Sequence, residues 1–128
     1  MRPKVLIIDD DDKFLEMMQD FMVDRYDVAV AEDIFDGSNL LLGEHFDLLI
    51  LDIRMPVVDG IEYLKMLDTK PEFASLPILV VSGEPDLHEK VAPAPLRAYL
   101  AKPFHAEDLY QQIERLLSLR RPQPPVRQ

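Results

Sequence analysis

The chain contains no cysteine, and none of its apolar runs approaches the roughly 18 residues that a membrane-spanning helix needs. The first absence excludes a disulfide framework and any thiolate metal site. The apolar stretch near the N-terminus is also too short for a secretory signal sequence. We therefore expect a cytoplasmic protein that does not contact a membrane.

Basic residues are scarce. The chain has 14 Lys and Arg against 24 Asp and Glu, which gives a net charge of −10. Such a chain repels the phosphate backbone of nucleic acids, which argues against non-specific nucleic-acid binding. The acidity can serve solubility alone, or part of it can be concentrated around a cation.

A chain of 128 residues is long enough for one domain, and its 48% of apolar residues is ordinary for a globular protein. We assign residues 1–119 to this domain. Residues 120–128 are rich in proline and arginine, and they are expected to form an extended tail or the start of a linker.

Short apolar runs alternate with helical patterns along the chain. Apolar runs bounded by turn signals are typical of strands buried on both faces, and apolar residues three and four positions apart predict the intervening helices. The alternation predicts an α/β fold with five parallel strands covered by helices on both faces. The predicted strands are residues 4–8, 27–31, 46–51, 76–81 and 98–101, and the predicted helices are residues 14–22, 34–42, 61–67, 84–91 and 106–119.

Polar side chains of matching chemistry follow four of the predicted strands. Asp9 and Asp10 follow the first strand, Asp52 the third, Ser82 the fourth and Lys102 the fifth. The carboxyl ends of parallel strands lie at one edge of the sheet, where open α/β sheets bind their ligands. We therefore expect three carboxylates, a hydroxyl and an ammonium group to meet there.

This set of groups is suited to phosphoryl transfer. Three crowded carboxylates repel one another, and a divalent cation with oxygen ligands relieves the repulsion. Mg²⁺ fits best, because it takes one or two carboxylates and shares a phosphate; Mn²⁺ is a possible substitute. Lys102 and Ser82 suit phosphate oxygens, and Asp52 is a carboxylate of the kind that forms aspartyl phosphates. Each residue alone also has a simpler interpretation as a helix cap, a turn residue or a surface charge.

With these residues the chain resembles the receiver domain of two-component response regulators, and in particular the chemotaxis-regulator-like receivers. The resemblance covers about residues 4–118 and implies a flavodoxin-like (βα)5 sandwich with strand order 2-1-3-4-5. The features that carry it are Asp9-Asp10, Asp52 within residues 51–60, Ser82, Tyr99 and Lys102-Pro103-Phe104.

The resemblance implies that Asp52 accepts a phosphoryl group from a sensor histidine kinase or a phosphotransfer protein. Asp10, Asp52 and the backbone carbonyl of Arg54 would bind Mg²⁺ directly, and Asp9 would act largely through water. The phosphorylated domain would then act on a downstream protein, or on an output domain if the chain is a fragment.

Ser82 and Lys102 would bind the phosphoryl oxygens. Tyr99 would turn inward as the hydroxyl of Ser82 moves towards the phosphate, although it can also be an edge-strand aromatic that packs without switching. The Lys102–Pro103 peptide is commonly cis in this family. The loop after the phosphoacceptor would be shaped by Met55, Pro56 and Gly60.

The chain departs from the family between Ser82 and Lys102. Receivers usually have a full fourth helix and then a Gly-Ala pair, whereas this chain has residues 92–97, with Pro93 and Pro95. Each proline removes a backbone N–H and clashes with the preceding helical turn, so we expect a short or irregular fourth helix. The usual output surface and dimer contact of receivers are therefore in doubt.

A second departure is a pair of charges near the site. Arg54 and Glu84 each lie two positions after a site residue, and we hypothesise that they pair across the mouth of the site and restrict hydrolytic water. The alternative is two solvated charges that contribute little.

Two other functions compete with phosphoacceptance. A receiver-like interaction module could signal without phosphorylation, although the intact site residues argue against it. A phosphohydrolase with an aspartyl nucleophile would need a second acid–base carboxylate and a cap that excludes water. Arg54 occupies the position where we would look for that carboxylate, and the chain has no room for a cap.

Overall fold

The computed structural model describes residues 2–54, 59–84, 89, 91 and 93–120. These residues form five β-strands, four α-helices and a 3-10 turn at Pro71–Phe73. The strands are β1 (Lys4–Ile8), β2 (Asp27–Ala31), β3 (Leu48–Asp52), β4 (Ile78–Ser82) and β5 (Arg97–Ala101), and the helices are α1 (Asp12–Met22), α2 (Ile34–Gly43), α3 (Gly60–Asp68) and α4 (Ala106–Leu119).

All five strands pair in parallel, in the order β2-β1-β3-β4-β5. The predicted fold class and strand order are therefore confirmed. The starts of two strands were predicted too early: β3 begins at Leu48 instead of residue 46, and β4 at Ile78 instead of residue 76. Pro77 explains the second difference, because it has no N–H to donate to a neighbouring strand.

The sheet separates two apolar layers. Side chains of one strand alternate between its faces, so Val5 and Ile7 of β1 pack with α1 and α4, while Leu6 and Ile8 pack with α2 and α3. All four side chains are fully buried. The helical spacing of apolar residues in α1 predicts an inward face formed by Phe14, Leu15, Met18, Phe21 and Met22. This prediction is wrong at Phe21, which is 37% exposed.

Three of the described helices begin at an aspartate. The side chains of Asp11, Asp33 and Asp59 accept hydrogen bonds from backbone N–H groups in the first turns of α1, α2 and α3. These N–H groups have no partner within the helix, and a carboxylate at this position also interacts favourably with the helix dipole. Each of these caps follows a strand of the parallel sheet, so α1, α2 and α3 all begin at its carboxyl edge.

The segment between β4 and β5 contains no α-helix among the residues described there, which agrees with the expected irregular fourth helix. Most of the predicted helix 84–91 lies outside the described residues. Val91 is buried against the α2–α3 side of the sheet. At the start of β5 the buried guanidinium of Arg97 binds Asp68 of α3 through two hydrogen bonds of 2.7 and 3.3 Å.

The described parts of the chain include no helix long and apolar enough to cross a membrane.

Candidate functional site at the carboxyl edge of the sheet

The parallel sheet brings the predicted site residues to one edge. Asp9 directly follows β1, Asp52 ends β3, Ser82 ends β4 and Lys102 directly follows β5. The backbone N–H of Lys102 donates to the carbonyl oxygen of Ser82 at 2.8 Å, which extends the pairing of β4 and β5 into the site. The ends of β1, β3, β4 and β5 therefore lie at one edge of the sheet, as the strand topology predicts.

Three carboxylates form an acidic cluster, which consists of Asp9, Asp10 and Asp52. Each offers one oxygen, and these oxygens lie within 4.8 Å of one another. Asp9 is fully buried and Asp52 is 7% exposed, whereas Asp10 is exposed. The cluster opens to solvent through a cleft of about 470 Å³, which is lined by the three aspartates together with Asp11, Arg54 and Lys102.

Backbone N–H groups orient the two buried carboxylates. Asp9 Oδ1 accepts a hydrogen bond of 2.9 Å from the N–H of Asp11, and Asp52 Oδ1 accepts one of 3.0 Å from the N–H of Arg54. The second oxygens point to Lys102, whose Nζ lies 2.7 Å from Asp9 Oδ2 and 3.5 Å from Asp52 Oδ2. The ammonium group thus bridges the two buried acids.

Burial raises the pKa of Asp52 above its ordinary value, and the negative charge of Asp9 raises it further. The hydrogen bond from the Arg54 N–H and the charge of Lys102 act in the opposite direction but do not cancel the rise. The charged form of Asp52 is therefore held at a free-energy cost, which a cation bound at the acidic cluster would reduce.

Ser82 is fully buried, and its hydroxyl is part of a turn with Glu84. The backbone N–H of Glu84 donates to Ser82 Oγ at 3.0 Å, and Ser82 Oγ lies 3.4 Å from the carbonyl oxygen of Glu84. The side chain of Glu84 reaches the guanidinium of Arg54 at 2.5 Å. The predicted Arg54–Glu84 contact is confirmed.

Tyr99 lies on β5 and is partly buried, and its hydroxyl donates to the carbonyl oxygen of Val91 at 3.3 Å. Burial raises the pKa of this hydroxyl. The contact ties the switch candidate to the irregular segment before β5. Whether Tyr99 moves on phosphorylation stays a prediction.

The remaining predicted residues shape the surroundings of the site. The Lys102–Pro103 peptide is cis, as predicted. Gly60 approaches the backbone of Ile53 so closely that an added Cβ would lie 2.4 Å from the Ile53 Cα. Met55 and Pro56 lie outside the described residues.

The donor set fits the predicted metal. Carboxylate oxygens are the ligands that Mg²⁺ prefers, and a site with one exposed acid leaves room for the waters that this ion keeps. Asp9, Asp10 and Asp52 would hold the ion. Arg54 lines the same cleft, and the binding of the ion by its carbonyl group stays a prediction.

One neighbour of the site was not identified from the sequence. The ring of Phe14 lies 3.9 Å from Lys102 Nζ, measured to the ring centroid. Helical spacing predicted that Phe14 points inward. The spacing of residues within α1 cannot predict a contact with Lys102, which follows β5.

Comparison with known proteins gives a consistent assignment. The sequence model of the response regulator receiver domain matches residues 5–114. The chain is 35% identical over 121 residues to the sensor histidine kinase TmoS of Ectopseudomonas mendocina, and 30% identical over 128 residues to the response regulator ArlR of Staphylococcus aureus. These matches cover 93% and 96% of the chain but only 12% and 56% of the two relatives. The chain therefore spans little more than half of one relative and a small part of the other.

A solved structure shares the whole fold. The chemotaxis protein CheY4 of Vibrio cholerae superimposes with a TM-score of 0.82 at 28% sequence identity, over 91% of this chain and 99% of the other. The similarity thus extends over nearly the full length of both chains.

Proposed function

Because the chain belongs to the response regulator receiver domain family, we propose that it works in phosphorelay signalling with Asp52 as its phosphoacceptor. Receiver domains accept phosphoryl groups and are not enzymes in the usual sense. The observation that carries the proposal is that Asp52, two further carboxylates and Lys102 meet in one cleft. The donor would be a phosphohistidine on a sensor histidine kinase or a phosphotransfer protein.

In the transfer step an oxygen of Asp52 attacks the phosphorus atom of the phosphohistidine. A P–O bond forms while the P–N bond breaks, and the electron pair of that bond returns to the imidazole nitrogen. Asp52 must be ionised to attack. Its backbone hydrogen bond from Arg54 holds the carboxylate in one orientation, so little reorganisation is needed when the donor arrives.

Lys102 would supply positive charge to the phosphoryl oxygens. Its ammonium group already lies 3.5 Å from Asp52 Oδ2, at the place where charge accumulates during the transfer. The hydroxyl of Ser82 would donate to the same oxygens after leaving its turn with Glu84. That exchange of partners would reorganise the loop after β4 and so alter the surface that partners contact.

A divalent cation bound by Asp9, Asp10 and Asp52 would neutralise the charge of the acids and of the incoming phosphoryl group. We propose Mg²⁺, with Mn²⁺ as a possible substitute because it favours the same oxygen ligands. The raised pKa of Asp52 supports this requirement, since the protein alone does not fully compensate the charge of this acid.

The phosphohydrolase alternative is not supported. The position two residues after Asp52, where we would look for the acid–base carboxylate of a hydrolase, is occupied by Arg54, whose guanidinium is paired with Glu84. A module that signals without phosphorylation would not need the bridged carboxylates, and the comparisons favour the phosphorelay reading over it.

The test is intact-mass analysis after incubation with acetyl phosphate. We expect one adduct that is acid-stable and base-labile, that requires Mg²⁺, and that is absent from Asp52→Asn. The matched control is Asp20→Asn, which changes an exposed aspartate on α1 and should be phosphorylated normally.

Beryllofluoride binding, followed by NMR, covers the case in which the adduct is short-lived or the donor is restricted to a kinase. A protein that neither forms the adduct nor binds beryllofluoride would not be a phosphoacceptor. The interaction module would then be the better account.

A further inference from the structure

The ring of Phe14 lies against the ammonium group of Lys102. The distance from Lys102 Nζ to the ring centroid is 3.9 Å, well inside the separation of about 6 Å at which an aromatic face attracts a cation. Phe14 lies in the first turn of α1 and Lys102 follows β5, so the contact joins two distant parts of the chain at the site.

The surroundings favour a strong contact. Phe14 is 9% exposed and the Lys102 side chain is 22% exposed, and the attraction between a cation and a ring grows as water is excluded. The ring of Phe104 meets that of Phe14 edge to face, with centroids 6.1 Å apart and an angle of 87° between the planes. Core packing and this neighbour therefore hold the Phe14 ring in place independently of Lys102.

The other partners of Lys102 are groups that a divalent cation would also use. Its ammonium contacts Asp9 Oδ2 and Asp52 Oδ2, and both residues belong to the acidic cluster. A cation bound to these acids competes for the same oxygens and repels the ammonium. The ring of Phe14 offers no oxygen to a metal ion, so this contact does not depend on the state of the carboxylates.

We propose that Phe14 is a positioning residue that keeps the Lys102 ammonium at the phosphoryl site when the acidic cluster binds a divalent cation. The proposal rests on the proposed function for its biological meaning. The physical contact itself can be tested without any phosphorylation.

Two substitutions distinguish the effect of the aromatic face of Phe14 from the effect of the volume that its side chain fills in the core. Phe14→Leu keeps an apolar side chain in the core but has no aromatic face, whereas Phe14→Tyr keeps the face. Phe14→Met serves the same purpose as Phe14→Leu if that variant does not fold. The matched control is Phe46→Leu, because Phe46 is also buried and also lies under a lysine, Lys4 at 5.3 Å, but at the opposite edge of the sheet.

The first readout is the NMR spectrum of the Lys102 side chain, recorded with and without Mg²⁺. A ring beneath the ammonium shifts the neighbouring methylene protons upfield. We expect this shift in the wild type and in Phe14→Tyr under both conditions, and its loss in Phe14→Leu. Disappearance of the shift when Mg²⁺ is added to the wild type would overturn the proposal.

The second readout is the affinity for beryllofluoride at saturating Mg²⁺. Phe14→Leu should weaken binding by about two- to thirtyfold, the range expected for a cation–aromatic contact. Phe14→Tyr and Phe46→Leu should bind within about twofold of the wild type. Equal affinities of the Leu and wild-type proteins would contradict the positioning role.

The two proposals can fail separately. If the wild type neither forms the phosphoryl adduct nor binds beryllofluoride, the phosphoacceptor function is wrong, while the methylene shift still shows whether Phe14 holds Lys102. If beryllofluoride binds but the shift is absent, the function stands and the role of Phe14 is wrong.

Discussion

The guanidinium group of Arg54 and the carboxylate of Glu84 form an ion pair at 2.5 Å. It joins the segment after β3 to the segment after β4, each two positions beyond a site residue. The side chains are 70% and 45% exposed, and exposed pairs usually contribute little to stability. The importance of this pair would lie in its location beside Asp52.

We predict that Arg54→Ala and Glu84→Ala each accelerate dephosphorylation of Asp52 by up to about fivefold. An exposed ion pair contributes at most about 1 kcal/mol, and this free energy corresponds to about a fivefold change in rate. Decay of the phosphorylated mass measures the rate. Exchanging the two charges, Arg54→Glu with Glu84→Arg, should restore slow decay. Glu62→Ala removes an exposed pair with Lys65 on α3 and serves as the control. An unaltered rate in either alanine variant would show that the two residues are only solvated charges.

The raised pKa of Asp52 predicts a pH-dependent stability difference. The folded state binds the proton of Asp52 more tightly than the unfolded state does. The resulting contribution of Asp52 to the free energy of unfolding is complete below the unfolded-state pKa and is lost as pH rises through the folded-state pKa. In metal-free protein, Asp52→Asn should therefore raise the Tm by a few degrees at pH 7. The gain should shrink at acid pH, where Asp52 is protonated. A pH-independent gain would mean that burial and the charge of Asp9 do not raise this pKa.

Addition of Mg²⁺ should stabilise the folded protein through the acidic cluster. A ligand at 100 times its Kd adds about 2.7 kcal/mol to the free energy of unfolding. Asp10→Asn should reduce this gain while changing the metal-free Tm little, because Asp10 is exposed. Asp20→Asn is the control and should retain the full effect. Thermal scans with Mg²⁺ and with EDTA distinguish these results, and an equal gain in Asp10→Asn would remove this residue from the metal site.

Removing Asp68 should destabilise the start of β5. Arg97 is 8% exposed and binds both oxygens of Asp68, so Asp68→Asn takes a charged partner from a buried guanidinium. We expect a loss of about 1.5 to 3 kcal/mol, a range typical of hydrogen bonds to charged groups. Urea denaturation with an unchanged m-value measures it. The control is Glu72→Gln, an exposed acid nearby; a similar small effect in both variants would show that Arg97 is held adequately by its other contacts.

Local patterns were enough to predict most of the fold. The runs at residues 4–8 and 27–31 match β1 and β2 residue for residue, because a short apolar run between polar signals has few other conformations available. Parallel topology then brought Asp9, Asp52, Ser82 and Lys102 to one edge. The proline pair before β5 predicted an irregular segment, and the residues described between β4 and β5 include no α-helix, since the effect of proline on the backbone is local.

Contacts between distant segments could not be predicted in the same way. Nothing in the spacing of α1 places Phe14 under Lys102, and nothing near Arg97 identifies Asp68 as its partner. These contacts depend on the relative positions of helices and strands in the folded protein. The Arg54–Glu84 pair is the exception, because both residues lie at known offsets from strand ends whose juxtaposition the topology already implied.

Gly60 is the clearest test of how the loop after Asp52 is held. A Cβ at this position would lie 2.4 Å from the Cα of Ile53 and 2.7 Å from its carbonyl oxygen, so backbone must move to accept it. The same carbonyl accepts the hydrogen bond of 3.2 Å from the Gly60 N–H. Gly60→Ala should therefore destabilise the protein by more than about 1 kcal/mol. It should also slow phosphorylation of Asp52, because Ile53, whose backbone must move, directly follows Asp52.

The matched substitution is Gly43→Ala at the end of α2. An added Cβ there meets no atom within 4 Å, and alanine favours a helix over glycine by up to about 1 kcal/mol. This variant should be as stable as the wild type or more stable, with normal phosphorylation. Urea denaturation and intact-mass phosphorylation assays of both variants measure the difference. If Gly60→Ala is as stable and as active as Gly43→Ala, the close approach to Ile53 does not restrain the site.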